Sequence, residues 1–234
     1  MNAIKKPLIR LMIECLFRFG PTREMLYKPQ PFPRWPYMFS PRQMEMLSNL
    51  LLSVNVPGAV VEIGCNQGWL SVFLLKVMKE VGVSRPYVGI DTFAGFQEAD
   101  LEAEYKRGKP QGIYDYEFKV CKREWYETSL KHGGFTNTRA FKADASTFDY
   151  GSLSPIAFAL VDVDLYRPVL LALRGLWQYV APGGLVAVDD CDPNHKLWDG
   201  AYHAYKEFCS EMKLVPELMC GKLGVLRKPF AAPE

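Results

Sequence analysis

Apolar residues along the chain fall into short uninterrupted runs that alternate with stretches in which they recur every three or four positions. The short runs predict buried strands, because a strand covered on both faces carries apolar side chains on both. They read AVVEIG, YVGID, TRAFKAD, AFALVDVD and LVAVDD, and helical patterns such as WLSVFLLKVMKEV and RPVLLALRGLWQYVA lie between them. LVPEL and KLGVLRK predict a closing antiparallel pair. The pattern predicts an α/β fold: a doubly wound, mostly parallel sheet of seven strands with helices on both faces.

The first 57 residues depart from this alternation. KKPLIRLMIECLFRFG has helical spacing, but charged residues interrupt it where a signal peptide would be apolar. YKPQPFPRWPYMFSPR, residues 27–42, holds five prolines and predicts an arm or a lid. We therefore expect residues 1–57 to form N-terminal helices with a proline-aromatic arm, and residues 58–234 to form the main domain. The apolar face of the first helix needs a partner surface, in its own domain or in a second copy of a homo-oligomer.

Composition narrows the class of protein. Of the 234 residues, 49% are hydrophobic and 23% are charged, as in an ordinary globular domain. A net charge of +2 argues against a nucleic-acid-binding protein, and no apolar run is long enough to span a membrane. The six cysteines are scattered without a CxxC pair. This disfavours a zinc cluster or a disulfide scaffold and favours a reducing, cytoplasmic setting.

Glycines and acids follow the first three predicted strands at their carboxyl ends, where open α/β sheets bind ligands. In VEIGCNQG, Gly64 and Gly68 make a GxxxG turn in place of the GxGxxG turn of dinucleotide sites. The second strand ends at Asp91, placed to accept hydrogen bonds from ribose hydroxyls. The third ends at Asp144, followed by Ala145, a place to hold an adenine amino group. These residues predict a ligand without a pyrophosphate.

Paired aspartates end the fourth and fifth predicted strands, in LVDVDLYRP and LVAVDDCDP. An unpaired carboxylate in a dry interior is costly. We therefore expect the four acids to point out of the sheet at something cationic; they are Asp162, Asp164, Asp189 and Asp190. His195 follows the second pair, and its ordinary pKa suits proton abstraction near neutral pH. A lone loop histidine is equally typical of a solvated surface.

The motifs at these strand ends resemble a known family. VVEIGCNQG, GIDTFAGF, FKADASTF, DVDLY, APGGLVAVDDCDP and DGAYHAYKEF are similar to class I S-adenosylmethionine-dependent methyltransferases, and most of all to the metal-dependent macrocin-type sugar O-methyltransferases. The resemblance runs from about Gly58 to the C-terminus. It implies S-adenosylmethionine as the cofactor, and the binding residues would be Glu62, Gly64, Asn66, Gly68, Asp91, Thr92, Phe93, Asp144, Ala145 and Asp162.

The resemblance also gives roles to the paired aspartates. It implies that Asp162, Asp189 and Asp190 bind a metal ion and that Asp162 or Asp164 is the general base, with His195 as the alternative base. A ligand set of carboxylates favours Mg²⁺, which would orient the acceptor hydroxyl and lower its pKa. The competing structural interpretation is that Asp164 caps the following helix and Asp190 holds a turn.

The sequence thus predicts an O-methyltransferase that acts on a hydroxyl of a sugar or a glycosylated small molecule. The proline-aromatic arm and residues 105–118 would close over this acceptor and exclude water. The expected partner is a small molecule rather than a nucleic acid or a membrane. Two alternatives stay open: a metal-independent class I methyltransferase acting on a phenol or an amine, and a module that binds the cofactor without turnover.

Overall fold

A computed structural model describes residues 39–230 of the chain, except residues 115, 116, 120 and 137. The predicted N-terminal helix and most of the proline-aromatic arm lie outside the described residues. The division at residue 57 and the contact between two copies therefore stay predictions. In the part of the chain that is described, no helix has the length and apolar character needed to cross a membrane.

A seven-stranded sheet forms the centre of the molecule. Its strands are β1 (Ala59–Ile63), β2 (Tyr87–Asp91), β3 (Arg139–Lys142), β4 (Ile156–Val161), β5 (Val180–Val188), β6 (Glu217–Met219) and β7 (Leu223–Arg227). They lie in the order β3-β2-β1-β4-β5-β7-β6. Strands β1 to β5 are parallel, and β7 and β6 close one edge antiparallel. This confirms the predicted doubly wound, mostly parallel sheet.

Helices cover both faces of the sheet. In the described residues they are α1 (Pro41–Ser53), α2 (Trp69–Glu80), α3 (Glu98–Lys106), α4 (Arg123–His132), α5 (Tyr166–Leu176) and α6 (Gly200–Glu211). The hydrophobic pattern did not predict α3, because EADLEAEYK has few apolar residues. The residues that α3 buries are two acids, Asp100 and Glu104.

The core has two layers because successive strand residues point to opposite faces of the sheet. On one face, Val61 belongs to a cluster that includes Leu173 of α5 and Phe208 of α6. On the other face, Val60 belongs to a cluster that includes Leu47 of α1. Helix α1 therefore packs on the sheet of the main domain, although it lies before residue 57.

Strands β4 and β5 end earlier than the sequence predicts. The apolar runs were expected to continue to Asp164 and Asp190, but the strands end at Val161 and Val188. Asp164 has a φ of 57° and Asp190 a φ of 54°, a left-handed conformation that most side chains avoid and aspartate tolerates better. The direction of each carboxylate is thus set by a turn and not by the pleat of a strand.

Candidate active site

A cavity opens at the carboxyl edge of the parallel strands, where the loops after β1 to β5 meet. Most of the predicted site residues line it: Glu62, Gly64, Asn66, Asp91, Thr92, Asp144, Ala145, Asp162, Asp164, Asp189 and Asp190. Three predicted residues do not line it: Gly68, Phe93 and His195. One concave site therefore contains both the predicted cofactor residues and the paired aspartates.

The loops after β1 and β2 form one end of the cavity and are joined by Asp91. Gly64 has a φ of +91°, and a Cβ atom there would lie 1.7 Å from the carbonyl oxygen of Asp162, so only glycine fits. Asp91 Oδ2 accepts a hydrogen bond from Asn66 N at 2.8 Å, and Oδ1 accepts one from Phe93 N at 2.7 Å. Burial raises the pKa of Asp91, while these two bonds oppose the rise. Each carboxylate oxygen keeps a further lone pair for a ligand hydroxyl.

Two of the predicted cofactor residues shape the neighbouring loops instead. Gly68 begins α2 as its N-terminal cap, with a φ of 78°. Phe93 is buried, and its ring centroid lies 6.1 Å from that of Tyr126. In the loop after β3, Asp144 Oδ1 accepts a hydrogen bond from Ser146 N at 2.7 Å, which forms a tight turn beside the cavity.

Glu62 lies at the floor of the same end and is 2% exposed. Its Oε2 accepts hydrogen bonds from Ser71 Oγ and from the Tyr87 hydroxyl, the latter at 2.6 Å. Burial raises the pKa of Glu62 to about 7, although both hydrogen bonds act to lower it. The carboxyl group of Glu62 therefore changes its charge near neutral pH.

Four aspartates meet at the end of the cavity formed by the loops after β4 and β5, where the backbone of Asp162 borders Gly64. One carboxylate oxygen from each of Asp162, Asp164 and Asp190 lies within 4.8 Å of the others, a spacing compatible with one shared ion. Asp189 is 2% exposed, and its Oδ1 is buried with no hydrogen-bond partner among the described residues. Burial raises the pKa of Asp162, and the charges of the neighbouring aspartates raise it further. Burial, and then the charge of Asp190, raises the pKa of Asp164.

Lys222 is a residue of this site that the sequence reasoning missed. Its Nζ lies 2.9 Å from Asp189 Oδ2 and 2.8 Å from Asp190 Oδ1. Burial acts to lower the pKa of Lys222, but the two carboxylates outweigh it and hold the pKa above its usual value. Lys222 is far from the aspartates along the chain, and only the antiparallel pairing of β7 with β5 brings it beside them.

The loop that carries Asp164 is held by α3 and α6. Ala201 N donates a hydrogen bond to the carbonyl oxygen of Asp164 at 3.0 Å. Glu104, which is 1% exposed, accepts hydrogen bonds from Tyr166 N at 2.7 Å and from Arg107 at 2.6 Å. Leu165, the residue before α5, makes no side-chain hydrogen bond that caps this helix. Glu104 therefore accepts the hydrogen bond from the first turn of α5, and Asp164 does not cap that helix. Asp164 lines the cavity.

Aromatic side chains from three loops form a cluster at the cavity. The rings of Phe96, Tyr114, Phe118 and Trp198 form a cluster with centroid separations from 4.8 to 6.3 Å. Phe96 and Phe118 line the cavity. The Tyr114 hydroxyl donates a hydrogen bond to the carbonyl oxygen of Leu197, which ties the loop after α3 to the loop after β5.

His195 lies in the loop after β5 and is exposed to solvent. Its Nδ1 accepts a hydrogen bond from Trp198 N at 3.0 Å, and its own amide donates to Asp192 O at 3.3 Å. These bonds hold a local turn. The structure does not bring His195 to the cavity with the paired aspartates.

An open parallel sheet with a glycine turn after β1 and an acid ending β2 is typical of α/β proteins that bind nucleoside cofactors. The methyltransferase domain family matches residues 61–191, more than half of the chain, and the protein belongs to this family. It is an S-adenosylmethionine-dependent methyltransferase of class I, as the resemblance of its motifs implied.

Individual relatives match most of the chain at low identity. The chain is 26% identical over 210 residues to a tetracenomycin 4'-O-methyltransferase of Streptomyces olivaceus whose substrate carries a 2,3-dimethoxy-rhamnosyl group; the match covers 81% of this chain and 78% of that protein. The crystal structure of the calicheamicin methyltransferase CalS11 is 21% identical, with a TM-score of 0.61 over 97% of this chain and 94% of that one. The O-methyltransferase NovP is 18% identical, with a TM-score of 0.65 over 94% and 99%.

Proposed function

We propose that the protein transfers the methyl group of S-adenosylmethionine to a hydroxyl group of a sugar or a glycosylated small molecule. The observation that carries this proposal is the cluster of Asp162, Asp164 and Asp190 in the same cavity as the cofactor-side residues. Methyl transfer from a sulfonium releases a neutral thioether, so the leaving group needs no acid. A hydroxyl nucleophile must lose its proton as it attacks, and a carboxylate beside it can accept that proton.

The cofactor would bind at the end of the cavity formed by β1, β2 and β3. Asp91 would accept hydrogen bonds from the ribose hydroxyls, since its two oxygens are fixed by Asn66 N and Phe93 N. Gly64 lets the loop after β1 pack closely against the backbone of Asp162, and the turn at Asp144 and Ala145 would hold the adenine. This placement would direct the methyl group toward the acids that follow β4 and β5.

The acidic end fits a divalent ion such as Mg²⁺. The donors are carboxylate oxygens, which hard cations prefer, and Asp189 Oδ1 is a buried acceptor without a described hydrogen-bond partner. Asp162 and Asp190 would hold the ion, with Asp164 or Asp189 completing the protein ligands. A bound Mg²⁺ would orient the acceptor hydroxyl and make its proton easier to remove.

The general base would be Asp164 or Asp162. Burial and the neighbouring charges raise the pKa of both carboxyl groups, which makes them stronger bases than an exposed aspartate. Their conformations differ, because Asp162 directly follows β4 whereas Asp164 lies in a left-handed turn held by α6. His195 is the weaker candidate, since it does not line the cavity.

A sugar is the acceptor class that the surroundings of the acids support. Phe96 and Phe118 give aromatic walls to the cavity that also contains the acids, and aromatic faces suit the apolar side of a sugar ring. The names of the tetracenomycin and calicheamicin relatives place those proteins in natural-product methylation. We extend this context to the present chain as part of the proposal.

A methyl-transfer screen tests the acceptor. Purified protein is incubated with labelled S-adenosylmethionine and panels of sugar nucleotides, glycosylated polyketides, simple phenols and primary amines. We expect transfer to a hydroxyl of a sugar-containing acceptor. Transfer only to phenols or amines would overturn the sugar assignment.

The metal-independent alternative has one observation in its favour. Lys222 already neutralises Asp189 and Asp190 in part, at 2.9 and 2.8 Å, so the acids are not wholly without a counter-charge. Repeating the screen in EDTA separates the two functions, because the alternative enzyme would keep its full rate.

A further inference from the structure

Lys222 is fixed beside the paired aspartates by its backbone. It follows the turn between β6 and β7, in which Cys220 and Gly221 both have positive φ, of 53° and 69°. Its carbonyl oxygen accepts a hydrogen bond from Cys191 N at 2.7 Å. Gly224, two residues further on, pairs with Val188 in the sheet. The start of β7 is therefore attached directly to the segment that carries Asp189 and Asp190.

The side chain of Lys222 is enclosed as well. It is 17% exposed, and its Nζ lies 4.9 Å above the ring centre of Phe39 in addition to its two carboxylate contacts. Phe39 is 4% exposed. The ammonium group is thus positioned by an aromatic face on one side and by two acids on the other.

The carboxylate of Asp190 is shared between the candidate ion site and the contact with Lys222. Asp190 is a member of the group that could share an ion with Asp162 and Asp164, and it is also a partner of Lys222. An ammonium group in contact with this carboxylate repels a divalent ion on the same carboxylate, because like charges a few ångströms apart in a partly buried site interact strongly. Full use of Asp190 by one cation reduces its availability to the other.

We propose that Lys222 is a built-in competitor of the divalent cation, which balances the charge of the acidic cluster in the metal-free protein and weakens its affinity for divalent ions. The inference rests on the proposed function, since it assumes that the cluster binds a divalent ion. The inference adds Lys222 to the site as a residue that sets the affinity for the ion. Lys222 then acts on catalysis through the occupancy of the site and not by touching the acceptor.

Calorimetric titration of the full-length chain with Mg²⁺ or Mn²⁺ alone tests the proposal without any turnover. Lys222→Met keeps much of the length and apolar stem of the side chain and removes the charge. We expect Lys222→Met to bind the ion at least about tenfold more tightly than the wild type, with Asp190→Asn reducing the affinity of both.

Lys228→Met is the matched control. Lys228 follows the other end of β7, where its Nζ lies 4.6 Å from the ring centre of Trp177 and donates a hydrogen bond to Trp177 O at 3.0 Å. It resembles Lys222 in its aromatic contact but does not line the cavity. Its removal should leave metal affinity unchanged.

The outcomes separate this inference from the proposed function. Equal affinity in the wild type and Lys222→Met would overturn the competitor role and leave the metal site standing. Weaker binding in Lys222→Met would also overturn it, since Lys222 would then support the site. Absence of binding in both proteins would overturn the metal-dependent function together with the competitor.

A measurement on the wild-type protein covers the case in which Lys222→Met does not fold. Amine acylation followed by mass spectrometry reports how freely each lysine reacts. We expect Mg²⁺ to increase the acylation rate of Lys222, because the ion draws Asp190 away from the ammonium group, and to leave Lys228 unchanged. A constant or lower rate at Lys222 would contradict the proposal.

Discussion

The two ends of the cavity differ in how their buried carboxylates are compensated. At the cofactor end, Asp91 is buried but accepts hydrogen bonds from two backbone amides, at 2.8 and 2.7 Å. At the acidic end, one carboxylate oxygen from each of Asp162, Asp164 and Asp190 lies within 4.8 Å of the others. Asp189 Oδ1 has no hydrogen-bond partner among the described residues. Lys222 is the described cation that contacts this group.

The difference indicates which part of the site is complete before ligands bind. Backbone donors fix Asp91 in one orientation, so the cofactor end is preorganised. Repulsion among the aspartates is only partly balanced by one lysine, so binding of a further cation would stabilise the acidic end. A single-residue change at either end should therefore alter one binding event and spare the other.

The largest effect is expected from Asp190→Asn. The substitution keeps the size of the side chain and removes a charge from the candidate ion site, so methyl transfer should fall about a hundred- to a thousandfold. Affinity for S-adenosylhomocysteine, measured by calorimetry, should change less than about twofold, because Asp190 lies at the other end of the cavity.

Asp192→Asn is the control for this change. Asp192 lies two residues further along, accepts a hydrogen bond from Asn194 N at 2.8 Å and does not line the cavity. Equal losses of activity in the two variants would show that the loop, and not the acidic cluster, is what matters.

The next effect is on the free energy of unfolding and concerns Glu62, at the floor of the cofactor end. Burial raises the pKa of Glu62 from 4.5 to about 7. The folded state therefore binds more protons than the unfolded state between these values, and Glu62 makes the protein less stable as pH rises through this window. The full shift corresponds to about 3 kcal/mol.

Glu62→Gln should remove this dependence. Chemical denaturation at pH 4.5 and pH 8 gives the free energy of unfolding of each protein, and the wild type should lose about 3 kcal/mol more than Glu62→Gln across this range. Glu98→Gln, at an exposed position of α3, should follow the wild type. Parallel pH profiles for the wild type and Glu62→Gln would contradict the buried, neutral Glu62.

A smaller effect is expected from Asp91→Asn. An asparagine oxygen can accept only one of the two backbone hydrogen bonds in the same way, and the ribose hydroxyls lose a charged acceptor. The affinity for S-adenosylhomocysteine should fall about tenfold or more, while the affinity for Mg²⁺ stays the same.

Asp149→Asn provides the comparison, because Asp149 Oδ1 also accepts a backbone hydrogen bond, from Gly151 N at 3.0 Å, but lies outside the cavity. Unchanged cofactor affinity in Asp91→Asn would remove Asp91 from the cofactor site. A simultaneous loss of metal affinity would show that the two ends are not independent.

The smallest effect concerns the loops beside the acids. Tyr114→Phe removes the hydrogen bond to Leu197 O, which is worth about 1 kcal/mol. The acceptor KM should rise about fivefold with kcat nearly unchanged, since the loops position the acceptor and not the reacting atoms. Tyr202→Phe, on α6, should leave both constants unchanged, and a large fall in kcat for Tyr114→Phe would contradict the positioning role.

The sequence was sufficient to predict that Gly64, Asp91 and Asp144 lie at one edge of the sheet. Strands β1 and β2 are apolar runs, Gly64 follows β1, Asp91 ends β2 and Asp144 lies two residues after β3, so the order of the strands brings these residues to one edge. The same reasoning predicted that the paired aspartates would lie there too. The strands and the residues at their ends follow from local sequence patterns, so one sequence is enough to predict them.

The remaining features depend on contacts between distant segments. Lys222 reaches the acids through the register of β7 on β5, and Glu104 reaches the start of α5 from a helix with little apolar periodicity. The turns at Asp164 and Asp190 end strands whose apolar pattern predicted continuation. None of these contacts leaves a periodic signal along the chain.

The most direct test of the account is one activity measurement on the wild-type protein after exhaustive chelation, with S-adenosylhomocysteine affinity measured on the same sample. We predict that methyl transfer is lost and returns when Mg²⁺ is added, while cofactor affinity is the same before and after chelation, because the two ends of the cavity bind their ligands separately. Full activity after chelation, with no increase on adding Mg²⁺, would contradict a cation site at the paired aspartates.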